Sequence, residues 1–317
     1  MTKTDAGDYY LKANNHPLIK VPCGKCPACL KQKRNEWVFR LSEMMRVSTT
    51  AYFITLTYDD DHLYYYSEVD GINPTLRKEH VKQFMHNLVN KGNKRWQEHL
   101  KKQGLPYSER KANRVHIKYF LVGEYGDQFD RPHYHLIVFD YPADREIITQ
   151  DCQSLWKKCT NIVDVRYCTG ALINYITKYM LKDDDIDYEK LMVLPPFRLM
   201  SKGLGKTFVS SATVRRFVPE QKYIDKVGTA YYSIPKYLRD KMEKQYYKKY
   251  HDIDPDDKDF YYALGAMRYA KGVEEEAIKR HNLIRAGEAL DTLENLDFIM
   301  RYHNKLIKQQ KKLKRKL

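Results

Sequence analysis

The stretch LVGEYGDQFDRPHYHLIVFD, residues 121–140, constrains the fold of this chain more than any other. Two runs rich in aromatic and β-branched residues, VHIKYFLVGE (115–124) and HYHLIVFD (133–140), flank the turn YGDQFDRP. That arrangement predicts a β-hairpin. Side chains alternate along a strand, so His133 and His135 share one face while Tyr134 turns away. The hairpin returns through Pro132 and brings Glu124 near both imidazoles. Two imidazoles and one carboxylate form a three-ligand set that leaves coordination positions open, which implies catalysis rather than structure. H-x-H alone is more often a pair of strand histidines on a wet sheet face. Glu124 and the glycine-flanked turn favour the metal reading.

Around the hairpin, the pattern places a helix from Pro27 to Arg46, with Trp37, Leu41 and Met45 four apart. AYFITLTY (51–58) reads as a strand, and Thr75 as the cap of a helix carrying Val81, Phe84 and Leu88. After the hairpin come a helix over 143–158, the strand NIVDVRY (161–167) and a helix over 171–182. The order β-α-β-β-α-β-α predicts an α+β domain, an antiparallel sheet with helices on one side. The expected organisation is a flexible lead over 1–20, a core domain over 21–185 and a more helical extension over 186–317. The acidic run DDDIDYE (183–189) leads into that extension as a surface connection, and a basic tail, 304–317, ends it.

The last helix, LINYITKYMLK (172–182), carries Tyr175 and Tyr179 four residues apart. Helical spacing puts both phenols on one face. Leu172, Ile173, Ile176 and Met180 fall on one arc, with the tyrosines just beside it and Lys178 and Lys182 next beyond. The phenols therefore sit at a border between core and cleft. Taken alone, such a pattern is more often tyrosines covering the edge of a core, with lysines in solvent; the metal reading upstream favours a held nucleophile.

Charge favours a polyanionic partner. The 317 residues carry a formal net charge of +15 and hold 27 tyrosines against 11 phenylalanines. Lysine and tyrosine interleave, as in KQYYKKY (244–250), which suits single-stranded nucleic acid through phosphate contacts and base stacking. Six cysteines are too few for a disulfide scaffold, and neither a signal peptide nor a membrane-length apolar run is present. A reducing cytoplasm, and no membrane, is the expected setting.

RPHYHLIV is similar to the His-hydrophobic-His motif of HUH endonucleases, with tyrosine at the middle position. The run FITLTYDD, LVGEYGDQFDRPHYHLIV and YITKYMLK, in that order, resembles the replication initiators of gokushovirus-type microviruses. CGKCPACLKQKRNEWVFR and PPFRLMSKGLG (195–205) resemble the same group, so the likeness covers roughly residues 20–215. The resemblance implies an HUH-type sheet, with FITLTY as a central strand beneath the site. Glu124, His133 and His135 would be ligands of Mg²⁺ or Mn²⁺. It implies that Tyr175 and Tyr179, each in a Y-x-x-K pattern with Lys178 or Lys182, are nucleophiles. They would nick single-stranded origin DNA through a 5′-phosphotyrosine link and rejoin it, starting and ending rolling-circle replication of a circular phage genome.

Two further motifs bear on cofactors. CGKCPAC sets Cys23, Cys26 and Cys29 at C-x₂-C-x₂-C, a candidate structural zinc site incomplete for a tetrahedral ion, to which Cys152, Cys159 or Cys168 could add a fourth ligand if the fold brings one close. Reduced thiols near a helix start are the plainer reading. KGLGKTF (202–208) departs from a P-loop because Met200 stands where its first glycine belongs. An ATPase site is therefore excluded, and a host helicase and polymerase are the expected partners. Competing readings are a relaxase or single-strand transposase of the same superfamily, a small-molecule 2-His-1-carboxylate enzyme, and a non-catalytic nucleic-acid-binding protein.

Overall fold

The structure, a computed structural model, describes residues 2–3, 9–11, 19–21, 23–24, 26–65, 73–126, 130–159, 163–179, 187–220 and 222–250. Met180, Lys182, the basic tail and the helices expected near the C-terminus lie outside the described residues. The chain divides into two compact units, Met1–Asp240 and Lys241–Leu317, and the elements below up to residue 240 belong to the first.

Within the lead expected to be flexible, β1 (Thr2–Lys3), β2 (Tyr9–Leu11) and β3 (Ile19–Val21) pair antiparallel. The segments YYL and IKV have the aromatic and β-branched character that strands favour. Helix α1 (Pro27–Val47) follows, then β4 (Ala51–Leu56), α2 (Lys78–Lys102) and the short α3 (Tyr107–Ala112). Next come β5 (Lys118–Tyr125), β6 (Pro132–Phe139), α4 (Arg145–Leu155), β7 (Asp164–Tyr167) and α5 (Gly170–Lys178). After these stand β8 (Phe197–Met200), α6 (Ser211–Phe217), the hairpin β9 (Ile224–Val227) with β10 (Ala230–Ser233), and α7 (Lys236–Tyr250).

The fold is α+β, built on a five-stranded antiparallel sheet in the order β7-β4-β6-β5-β8. The hairpin holds as expected, with Glu124 directly opposite His133 and Val122 opposite His135. β8 comes from beyond residue 185, so the sheet extends into the segment expected to be an extension.

Helices cover both faces of the sheet rather than one side. On one face Tyr52, Ile54, Leu56, Tyr134, Leu136 and Val138 pack with Val81, Phe84 and Leu88 of α2 and Ile148 of α4. On the other, Phe53, Phe120, Val122, Ile137 and Phe139 pack with Trp37, Val38 and Leu41 of α1 and Ile173 and Ile176 of α5. The reason lies in the strands. β4 and β6 are apolar on both faces, as strands covered on both sides must be. Gly123 serves the first face: a Cβ there would stand 3.1 Å from both the Phe197 and Tyr134 rings, which close over the strand.

Thr75 does not cap a helix. α2 starts at Lys78 after Arg77, without a side-chain cap bond. Thr75 is instead buried, with its hydroxyl 3.2 Å from the Tyr125 hydroxyl and accepting from the Leu194 N–H at 2.7 Å. A polar loop residue satisfied by two distant segments gains more there than at a solvated helix end.

Candidate active site

The site lies on the α1–α5 face of the sheet. Cross-strand pairing lines up Arg198, Val122, His135, Thr55 and Asp164 in one row across all five strands. Directly opposed residues share a face, so this row and the Glu124–His133 pair beside it point the same way.

Glu124 is 3 % exposed and His135 6 %. Oε1 of Glu124 stands 2.8 Å from Nε2 of His133 and 3.0 Å from Nε2 of His135. Nδ1 of His133 lies 3.0 Å from the Arg131 carbonyl, which can only accept, so that nitrogen carries the hydrogen. In a neutral ring, Nε2 then turns its lone pair toward the carboxylate. Two lone pairs at that distance require a shared cation, a proton or a metal. The other Glu124 oxygen, Oε2, is buried without a hydrogen-bond partner. Such an orphaned acceptor beside converging imidazoles fits a divalent cation. The three donor groups lie within 4.8 Å of one another. Burial opposes the charge of Glu124, but the hydrogen bonds and charge of His133 and His135 outweigh it and hold the pKa below the ordinary value.

The surroundings fix the donors. Thr55 Oγ1 lies 3.2 Å from Nδ1 of His135, and the Phe53 ring stacks on the imidazole at 5.4 Å. Arg131 pairs with Asp60 and donates to the Tyr58 carbonyl at 2.8 Å, anchoring the turn before β6. Outer partners of this kind orient ligand rings and tune their basicity.

The tyrosines arrive on α5. Thr169 caps that helix by accepting from the Leu172 N–H, which contributes about 1 kcal/mol. Ile173 and Ile176 are fully buried, each contributing about 1.5–3 kcal/mol against exposure. Arg34 of α1 donates to Asn174 Oδ1 at 3.2 Å, tying the two helices together beside Tyr175. The helix ends at Lys178, and Tyr179 follows with helical backbone angles, so the i, i+4 relation survives. Both phenols are half-buried at the border of the core, as the pattern predicts.

Their hydroxyls meet at the Glu-His-His trio. Tyr175 Oη lies 3.3 Å from Nε2 of His135, and Tyr179 Oη donates to Tyr175 Oη at 2.7 Å. Lys178 Nζ hovers 4.5 Å from the Tyr175 ring centroid and 5.0 Å from that of Tyr179. A cation over a ring face is held there by the ring quadrupole, which keeps Lys178 beside both phenols.

Sequence reasoning missed Thr55, Phe53, Arg34, Asn174 and Arg198. Arg198 stands on the site face of β8 and makes no hydrogen bond or ion pair among the described residues. With Val122, Pro196 and Tyr179 it walls a cavity of about 440 Å³. Its only advance signal was the segment PPFRLMSKGLG, whose strand register could not be read without the sheet.

Cys23, Cys26 and Cys29 come together at the start of α1, their sulfurs within 4.8 Å. None of Cys152, Cys159 and Cys168 is brought to them as a fourth ligand among the described residues. Cys152 and Cys159 are buried in the core on the opposite face of the sheet, and Cys168 packs beside α5. KGLGKTF forms a turn with Gly203 and Gly205 at positive φ, as expected of a glycine-rich turn. No helix among the described residues is long and apolar enough to cross a membrane.

The family profile of ORF2-type replication-associated proteins matches residues 51–184, the span from β4 through α5 that holds both the trio and the tyrosines. Replication-associated protein ORF2 of Spiroplasma virus 4 is 29 % identical over 261 residues, covering 78 % of this chain and 75 % of its own. Replication-associated protein ORF4 of Chlamydia phage 1 is 26 % identical over 258 residues, 75 % of this chain and 56 % of that longer one. Replication-associated protein VP4 of Bdellovibrio phage phiMH2K is 25 % identical over 253 residues, 74 % and 70 % of the two chains. No solved structure matches. The likeness read from the motifs is borne out: over about three quarters of its length this chain is similar to the replication-associated proteins of these phages.

Proposed function

We propose that the protein is a tyrosine-nucleophile DNA endonuclease and ligase of the HUH type. It nicks and rejoins a single-stranded phage origin to start and finish rolling-circle replication. The observation that carries this reading is the meeting of two phenol oxygens, 2.7 Å apart, beside a buried Glu-His-His trio.

Glu124, His133 and His135 would hold Mg²⁺ or Mn²⁺, which supplies charge neutralisation at a bound phosphodiester. The chain's own residues do the rest. Tyr175, the phenol nearer the trio, attacks phosphorus; a Tyr–O–P bond forms, the P–O3′ bond breaks, and the 3′-hydroxyl leaves carrying a proton. The Tyr179 hydroxyl donates to the Tyr175 oxygen, and Lys178 offsets the growing negative charge. Lys182 has the same role toward Tyr179 in this reading. Arg198 binds a neighbouring phosphate, its position about two strand spacings, roughly 10 Å, from His135.

Two tyrosines allow two transfers. One holds the 5′ end during extension, and the other attacks the regenerated origin so that the first link can be resolved into a closed circle. Unwinding and synthesis fall to a host helicase and polymerase, in keeping with a glycine-rich turn where a P-loop would be needed.

The test is to incubate protein with labelled single-stranded origin DNA and Mn²⁺ and look for an adduct that survives denaturation. An adduct is expected with metal and none with chelator. The absence of an adduct under every divalent metal would overturn the proposal.

A further inference from the structure

We propose that Cys23, Cys26 and Cys29 bind a thiophilic divalent cation of the zinc class, which caps the start of α1 and is separate from the metal held by Glu124, His133 and His135.

The helix itself calls for something at this end. α1 runs for 21 residues, yet its N-cap, Cys26, makes no side-chain cap bond, and its first turn holds no acidic residue. The leading N–H groups and the positive end of the helix dipole are therefore left to whatever stands in front of them. What stands there is sulfur. Cys26 occupies the N-cap and Cys29 the first turn, the two positions from which capping side chains act. The Cys26 N–H donates to Cys23 Sγ at 3.1 Å. Gly24 adopts φ +77, the left-handed conformation that turns the loop back over the helix start. Cys23 Sγ and Cys29 Sγ lie 3.9 Å apart.

Three sulfurs gathered at a helix start place soft donors where the helix dipole favours negative charge. On binding, each thiol releases one proton to solvent and forms one sulfur–metal bond. Three thiolates and one divalent cation leave a net charge of −1, placed where the helix is positive. Three sulfurs fill three of four tetrahedral positions, and the fourth is open to water or a further donor. Soft sulfur selects zinc over magnesium or manganese, whereas the carboxylate and imidazoles beside the tyrosines are harder donors.

The consequence reaches the tyrosine helix. α1 carries Arg34 to Asn174, and its Trp37, Val38 and Leu41 pack in one cluster with Ile173 and Ile176. A cation that fixes the first turn of α1 steadies the surface against which α5 rests.

The test is elemental analysis of the purified full chain with cobalt substitution beside it. About one zinc per chain is expected after dialysis, retained in His135→Ala and lost in the Cys23→Ser/Cys29→Ser double variant. Cobalt-loaded wild-type protein should show the intense near-ultraviolet band of thiolate-to-cobalt charge transfer. Zinc content unchanged in the double variant, or a cobalt spectrum without that band, would overturn the proposal. The cobalt spectrum uses wild-type protein, so it decides the matter even where the double variant fails to fold.

Discussion

Nε2 of His135 faces two oxygens at once, Glu124 Oε1 at 3.0 Å and Tyr175 Oη at 3.3 Å. One nitrogen thus joins the Glu-His-His trio to the first phenol of a tyrosine pair. A site built only for packing has no need of that junction, because it gathers a carboxylate, two imidazoles and two hydroxyls in a partly buried place. The metal-assisted transfer proposed above would use each of them.

Glu124→Gln keeps the shape of the trio and removes its charge. Affinity for Mn²⁺ is expected to fall at least about 100-fold, because a ligand is lost where even an outer partner is worth 10–100-fold. Titration followed by the electron paramagnetic resonance of free Mn²⁺ measures it. Unchanged affinity would remove Glu124 from the metal site.

Arg198→Gln removes a cation that has no ion-pair partner among the described residues. Single-stranded DNA should bind more weakly, and the slope of log K against log salt should fall by about 0.7, the value for one phosphate contact. Fluorescence anisotropy over a salt series reads both quantities. A parallel loss of affinity with an unchanged slope would mean that Arg198 acts through structure rather than charge.

His80 sets a pH dependence of stability. Its Nδ1 lies 2.9 Å from the Tyr58 hydroxyl, and burial, helped by Lys158 and Arg77, lowers its pKa from 6.5 to about 4. The unfolded chain therefore takes the proton first. Stability is complete above about pH 6.5 and declines as pH falls toward about 4, by about 2 kcal/mol once solvent screening is allowed for. Thermal melts across that window should show the decline, and His80→Gln should flatten it. An equal decline in the variant would assign the effect elsewhere.

The hairpin and the tyrosine pair were legible in the sequence because each rests on local periodicity. Period two put His133 and His135 on one face, and period 3.6 put Tyr175 beside Tyr179 at the core border. What stayed hidden depends on which strands meet. Thr55 lies opposite His135 only because β4 pairs with β6 in that register. Arg198 reaches the same row only because β8 joins β5 from beyond residue 185. The second helical layer was missed for a related reason. Phe53, buried between Tyr52 and Ile54, announces a strand covered on both faces, but an aromatic run of that kind is equally at home in a one-sided sheet. Thr75 misled because a Thr before a helical pattern is a capping signal, whereas here its hydroxyl bonds segments far along the chain.

The central claim, that Tyr175 and Tyr179 are the nucleophiles, meets its most direct test in the position of the DNA on the trapped protein. Trypsin cuts after Arg166, Lys178 and Lys182, so it separates YCTGALINYITK, carrying Tyr175, from YMLK, carrying Tyr179. After a single nick with Mn²⁺, nuclease trimming and mass spectrometry, the account predicts a nucleotide mass on Tyr175 in the first peptide. Tyr175→Phe should move the mass to YMLK or abolish it. A nucleotide on Tyr167 of the first peptide, or on a tyrosine outside both peptides, would contradict the account.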